Sequence, residues 1–528
     1  MRTEPSTEKL VKTIDFSGGR NSIGQRDPGE RAERSQPDYK LNWTRGLCLV
    51  LLALVWLRSA WVSDDAYISF RSVEFVFEGL GARWNLAERV QVYTHPLWFL
   101  LLLGLRSFST DLFSGVLVLS GGLTLAAAGL LLWQARHWTS AAALTVLLCS
   151  SKAFIEFSSS GLENPLCHLL FVGLYLLTLA SQSSRVLPYG LLLGLLLSAI
   201  ALTRIDLLVL AGPAAAYIYW RARSRDALLK LFVGLIPLFL WELGSLFYYG
   251  DLVPNTACAK VNHVLPISAR ISHAADYFST SLSFDPVTLP FLLLVALATL
   301  IRGTGLRFLS LGLVLHLAYV AWIPGDFMTG RMQSTSFVLA AAIFLSSPLK
   351  KRAFLPVIAG LALCFSLVNP RGPLTPNRLI TTEGSGDTVD ERAFYCCERT
   401  LRALRPEPWS GTPPEILVGW GGGITYETGP STHFVDKYAL SDPLLARLPK
   451  VSTTQSHFRP GHLDRPIPDG YLVSLETNEN QIQDEDIAAL WDDVRVATRA
   501  PLLDPKRWRA IRGTMLCGRA HRKGLLKD

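Results

Sequence analysis

Charged residues are scarce in this chain. Asp, Glu, Lys and Arg make up 18% of its 528 residues, 49% are hydrophobic, and the mean hydropathy is +0.28. A soluble domain carries roughly a quarter charged residues, so the composition excludes one ordinary soluble domain and implies a polytopic membrane protein. Other signals are missing too. The glycines of "EILVGWGGGITYET" (Glu415 to Thr428) do not form a G-x-G-x-x-G between a strand and a helix, which removes a dinucleotide site. No Cys or His pair has ligand spacing, so His457 and His462 give no zinc motif. No internal repeat is visible, which counts against a transporter. The net charge of +8 is spread in small clusters between apolar runs. Lipid topology explains that pattern, and nucleic acid is not expected as a partner.

What is present is a series of apolar runs. A bilayer crossing takes about twenty mostly apolar residues. Candidates lie at 43 to 62, 112 to 134, 139 to 157, 163 to 181, 186 to 204, 206 to 220, 228 to 248, 286 to 302, 306 to 323, 333 to 348 and 352 to 368. "HPLWFLLLLGL" from His95 is too short to cross. Arg136 with His137, Arg185, "RARSRDALLK" (Arg221 to Lys230), Arg302 with Arg307, and "LKKR" (Leu349 to Arg352) belong on the cytoplasmic side by the positive-inside rule. If the segment at 95 to 108 lies in the outer interface, every cluster falls inside. The expectation is a multi-pass protein of a cytoplasmic membrane with about eleven spans and a cytoplasmic N-terminus.

Residues 1–42 are polar and of mixed charge, and are expected to form a disordered cytoplasmic tail. The first span is then an uncleaved anchor. Residues 43–369 make the membrane domain, with an outer loop and interfacial helices at 63–111. Residues 370–528 make a C-terminal extracytoplasmic domain, α/β or mainly β, in which the glycine run reads as strand, turn, strand. Cys48, Cys149, Cys167 and Cys364 lie in apolar segments and are read as small buried hydrophobes. Cys258 sits alone in a polar loop. Among Cys396, Cys397 and Cys517 a disulfide to Cys517 would leave one thiol over.

The outer connections collect the unusual residues: "SDDAYISF" (Ser63 to Phe70), "EFSSSGLENP" (Glu156 to Pro165), "LTRIDLL" (Leu202 to Leu208), "FYYGDLVPNTACAK" (Phe247 to Lys260) and "PGDFMTGRM" (Pro324 to Met332). Asp64 and Asp65 have three readings. They solvate a helix end; they hold Ca²⁺, Mg²⁺ or Mn²⁺; or one is a general base for an incoming hydroxyl. Arg204, Lys260 and Arg331 on the same face suit a phosphate leaving group, or snorkel at the interface. Nucleotides are held in the cytoplasm, so an outward-facing transferase needs a donor delivered through lipid. A polyprenyl phosphate sugar meets that need.

"DDAYISFRSVEFVFEGLGARWNLAERVQVYTHPLW" (Asp64 to Trp98), "SSGLENPL", "TRID", "YYGDLVPNT" with "AK", and "GDFMTGRM" together resemble the GT-C arabinofuranosyltransferases that add terminal β-1,2-linked arabinofuranose to actinobacterial cell-wall arabinan. "VDKYALSDPLLARLP" (Val435 to Pro449) and "GHLDRPIPDGY" (Gly461 to Tyr471) extend the resemblance into the C-terminal part. It implies a GT-C fold, a decaprenyl or undecaprenyl phosphoarabinose donor, and an inverting transfer to an envelope glycan or glycoprotein outside the bacterial inner membrane. By motif match, Asp64 is the catalytic base and Asp65 supports it or holds a cation. Arg204, Lys260 and Arg331 bind the donor phosphate. Glu163, Asp206, His95, Tyr93 and Asp326 are candidates for sugar hydroxyls. Asn164, Ile205, Leu207 and His95 depart from the family pattern, which bears on the sugar's identity. His95 contacts a hydroxyl or caps the helix after it.

In the C-terminal part Trp420, Tyr426 and His433 can stack on an acceptor glycan or pack in a core. His462, Asp464 and Arg465 form a polar patch; Trp420, His462 and Arg465 are the acceptor candidates. A transporter or flippase of lipid-linked sugars is the alternative, and a non-catalytic scaffold a third.

Overall fold

The computed structural model describes residues 39–517 apart from 184–187, 262–264, 302–304, 348, 350–353, 376–387, 396–409, 411, 413, 450–458 and 460. The tail up to residue 38, Arg185, Arg302, the basic residues of "LKKR", Cys396, Cys397 and His457 lie outside the described residues.

The described chain is mostly helical. Helices α1 (Tyr39–Ser59), α2 (Asp64–Phe77) and α3 (Pro96–Arg106) lead into α4 (Leu112–Gln134), α5 (Trp138–Ser150), α6 (Lys152–Phe157), α7 (Asn164–Ser181), α8 (Tyr189–Thr203), α9 (Leu208–Ala222) and α10 (Arg225–Tyr248). Then come α11 (Asn255–Val261), α12 (Ile267–Phe284), α13 (Thr288–Ile301), α14 (Arg307–Trp322), α15 (Arg331–Ser346) and α16 (Phe354–Val368). Each of the eleven apolar segments falls on helix. By length and composition, though, only α1, α4, α7 and α10 suffice to cross a membrane among the described residues, with α12 and α13 passing as a pair bent by 106°. The segment at 139 to 157 is not one helix. Ser151 ends α5, and its hydroxyl accepts the Phe154 N–H at 3.0 Å to cap α6, satisfying a donor that a helix start leaves open. The first described helix begins at Tyr39, inside the expected tail.

The largest core is apolar and joins α4 to α9 with α13 to α16. α8 and α10 meet backbone to backbone, because a Cβ at Gly194 or Gly234 would strike the partner helix, and Ser198 Oγ donates to Gly234 O at 2.9 Å. That packing fixes the C-terminal end of α8, where Arg204 sits. A second, aromatic core of Trp61, Tyr67, Phe70, Trp84, Trp98, Phe157, Phe327 and Phe434 binds α2 and α3 to the C-terminal part.

The C-terminal part contains α17 (Glu391–Tyr395), β1 (Ile416–Gly419), α18 (Gly423–Glu427), β2 (His433–Asp436), α19 (Tyr471–Thr477), α20 (Glu485–Arg499) and α21 (Pro505–Thr514). The expected strand, turn, strand is corrected. The strands run parallel, Ile416 opposite His433, and parallel neighbours need a crossover, which the short α18 supplies. Among the described residues of the C-terminal part the strands are two and short, beside five helices. Its apolar core is also not its own: Val435, Leu444, Leu445, Tyr471 and Trp491 pack with Cys258 and Ala259 of α11. Arg71 of α2 clips the two parts together. It is 2% exposed and donates to the carbonyls of Trp84, Thr425, Gly429 and Thr432.

A disulfide joins Cys258 to Cys517, so Cys517 pairs with the cysteine that looked solitary. Cys48, Cys149 and Cys167 are buried free thiols as expected, whereas Cys364 is exposed.

Candidate functional site

A cavity of about 410 Å³ opens where the ends of α8, α11, α14 and α15 meet the start of α7. Glu163, just before α7, is its node. Its side chain is 2% exposed, and Oε1 lies 3.3 Å from Arg204 Nη1 and 3.5 Å from Arg331 Nη2. Arg204 follows α8 in extended conformation, and Ile205–Leu207 then form a single tight turn. That turn brings Asp206 back onto Arg204, which grips it with two N–H groups at 3.1 and 2.8 Å. Such a fork is the strong form of a charge-assisted bond. Arg331 opens α15 and stands 3.5 Å from Asp65 and 3.9 Å from Asp326.

Asp64 and Asp65 open α2 beside this cavity instead of lining it. Ser63 caps the helix by accepting the Asp65 N–H at 3.2 Å. Asp65 turns toward Arg331. Asp64 turns toward the C-terminal part, where its Oδ1 accepts the Gly423 N–H at 2.7 Å. Gly422 permits that approach: its φ is +135°, and a Cβ there would overlap the Asp64 carboxylate.

Burial pushes the Glu163 carboxyl up, but Arg331, His95 and Arg204 outweigh it and hold it at about 2. Burial raises Asp65, opposed by Arg331 and Lys260. Burial lowers His95 despite Glu163, which keeps the ring neutral at pH 7. Burial also lowers Lys260, while Asp326 and Asp65 favour its charge. Among the described residues Lys260 makes no hydrogen bond or ion pair, and its side chain opens to the cavity. The lining also includes apolar side chains: Ile205, Leu265, Tyr319, Trp322 and Ile323, with Arg270 over the Trp322 ring at 4.7 Å. Ile205 and Trp322 are 65% and 63% exposed. The cavity thus offers contacts to an anion and to a hydrocarbon.

No family model, curated protein or solved structure matches this chain.

The cavity brings together Glu163, Arg204, Asp206, Lys260, Asp326 and Arg331, six of the residues singled out in the sequence. His95 stands behind them. Its Nε2 is 2.8 Å from Ser69 Oγ and its Nδ1 3.5 Å from Glu163 Oε2, and its side chain makes no cap to α3. The capping reading is therefore corrected. Tyr93 points away: its hydroxyl bonds Tyr249 at 2.8 Å and its ring stacks on Phe99 at 4.1 Å. Arg465 is 1% exposed and donates to the carbonyls of Leu448, Leu463 and Ala259, so it holds α11 in place and cannot reach an acceptor. Tyr426 packs on Tyr67, and His433 faces Glu88 and Asn85.

Trp420 is 52% exposed and bonds Asp464 at 3.1 Å. From it a line of rings runs through Tyr438 and His462 to Phe327, beside Asp326, at spacings of 6.1, 4.7 and 4.1 Å. The two carboxylates of the aspartate pair engage different elements, and among the described residues no group of three or more His, Cys, Asp or Glu side chains is arranged to hold a metal ion. Glu391, Trp322 and Arg270 were missed in the sequence. Glu391 is 5% exposed and accepts from Ser63 Oγ at 2.9 Å; nothing in "VDERAFY" marks it.

Proposed function

We propose that the protein is an inverting membrane glycosyltransferase of GT-C type that moves a sugar, arabinofuranose by resemblance, from a polyprenyl phosphate to a hydroxyl of an envelope glycan or glycoconjugate. The observation that carries the reading is the mixed lining of the cavity: Arg204, Lys260 and Arg331 line it together with Ile205, Leu265 and Trp322. A phosphate on a hydrocarbon tail needs both. Compensating cations let the phosphate leave with the electron pair of the broken carbon–oxygen bond.

The acceptor oxygen attacks the anomeric carbon from the side opposite the phosphate and gives up its proton to a carboxylate. Asp64 suits that base. It faces the C-terminal part, where the Gly423 N–H orients it. Asp65, paired with Arg331, belongs to the donor side, as do Glu163, Asp206 and Asp326. The line of rings from Phe327 to Trp420 offers faces to acceptor sugars.

The same reading takes all eleven apolar helical segments as spans, the shorter ones extended by their flanks, with α2, α3 and α11 at the outer surface of the bacterial inner membrane. The disulfide supports it, because Cys258 and Cys517 both fall on the side assigned to the oxidising compartment. The test is purified protein given polyprenyl phosphates of arabinofuranose, mannose and aminoarabinose. Release of polyprenyl phosphate from one of them is expected. No turnover with any of them favours transport and sinks the transferase.

A further inference from the structure

The C-terminal part reaches back into the site through one short segment. Val389 pairs with the loop that carries Asp326 and Arg331: its N–H donates to Phe327 O at 2.8 Å and its carbonyl accepts the Thr329 N–H at 3.1 Å. Asp390 lies 3.0 Å from the buried Lys152, and Arg392 4.0 Å from Glu156, both partners on α6. Lys152 also bonds Glu156. Glu391, between these pairs, accepts from the Ser63 hydroxyl at 2.9 Å, and Ser63 in turn takes the Asp65 N–H at 3.2 Å and donates its own N–H to Ser160 O at 2.8 Å. One run of four residues therefore touches the start of α2, α6 and the loop before α15.

Glu391 is out of place as a mere tether. Its Oε2 is buried without a hydrogen-bond partner, and the nearby cations are committed: Lys152 to Asp390 and Glu156, Arg331 to Glu163 and Asp65. A carboxylate so placed is costly. The charged groups acting on it are Asp65 and Asp64 from α2 and Arg331 from α15; burial and then Asp65 push it well above the usual carboxylate range. The Ser63 hydroxyl needs only an oxygen to accept it, so an amide oxygen can take the place of the carboxylate oxygen in that contact.

We propose that Glu391 is a positioning residue of the transferase: its Oε1 fixes the Ser63 hydroxyl, and through Ser63 the helix start that presents Asp64 and Asp65. The inference rests on Asp64 acting as the base. It also makes the segment from Val389 to Arg392 part of the catalytic unit, although it lies beyond the last apolar helix.

The experiment compares Glu391→Ala, Glu391→Gln and Ser63→Ala in the full chain. Gln keeps a neutral oxygen in place, so E391Q holds kcat within about twofold. E391A and S63A each lower kcat about tenfold with donor KM unchanged, and the double variant is no slower than the slower single one, as expected of one shared contact. Wild-type kcat in E391A, or E391Q as slow as E391A, overturns the proposal. Amide exchange at Asp65 reads the anchor without any activity: it speeds up in E391A and is restored in E391Q. Unchanged exchange also overturns the proposal. Faster exchange in a protein that turns over no donor supports the anchor and defeats the transferase reading alone.

Discussion

Glu163→Gln removes one charge from a node that two guanidiniums share and leaves its volume almost unchanged. Arg204 and Arg331 lie 3.3 and 3.5 Å from one carboxylate oxygen, and His95 3.5 Å from the other. Together they hold the group at about 2 against an ordinary 4.5. A depression of that size corresponds to about 3 kcal/mol of preference for the ionised form in the folded protein. The folded value is the lower one, so the contribution is full above the unfolded value and is lost as pH falls toward the folded value. At pH 7 His95 is neutral and its share is absent, so E163Q should be less stable than wild type there by up to about 3 kcal/mol. For cooperative unfolding of the described residues that is a drop in Tm of roughly 3 °C. Thermal unfolding of both proteins in detergent measures it. The gap should persist from pH 7 to about 5, then narrow by about 1.4 kcal/mol per unit below the unfolded value. Equal melting at pH 7, or a gap indifferent to acid, refutes the reasoning.

Lys260→Ala should weaken polyprenyl phosphate binding at least about tenfold with little change in Tm, because the lysine makes no bond in the folded protein among the described residues; a stability loss with unchanged binding would make it structural. Gly422→Ala should cut turnover strongly while the protein still folds, since the new methyl meets the Asp64 carboxylate; an active variant means that the glycine turn does not set the base. Peptide mapping without reductant should recover Cys258 linked to Cys517, and Cys517→Ser should lower Tm, with about 5 kcal/mol as the ceiling for closing so long a loop. Two free thiols would contradict both the pairing and the compartment.

The helices were legible because apolar runs report lipid and core alike. Their capacity to span was less so. Ser151 looks like any small residue inside the run at 139 to 157, yet its hydroxyl ends one helix and starts another. The site was legible where each residue lay at a connection between apolar segments: Glu163, Arg204, Asp206, Lys260, Asp326 and Arg331 converge because those connections meet at one cavity. Side-chain direction was not legible. Tyr93 and Arg465 sit in the right motifs and face tyrosine and backbone carbonyls instead. Contacts across the chain were the least visible. Cys258 and Cys517 are 259 residues apart, and Glu391 reaches Ser63 only because Val389 pairs with the loop before α15.

In the proposed mechanism Asp64 takes the acceptor's proton while Arg204, Lys260 and Arg331 receive the phosphate. Release of polyprenyl phosphate is measured for purified wild type and Asp64→Asn, with a polyprenyl phosphoarabinose donor and an arabinan acceptor. Wild type should turn over, and D64N should lose at least about a hundredfold in kcat with donor KM and Tm retained. Full turnover by D64N contradicts it.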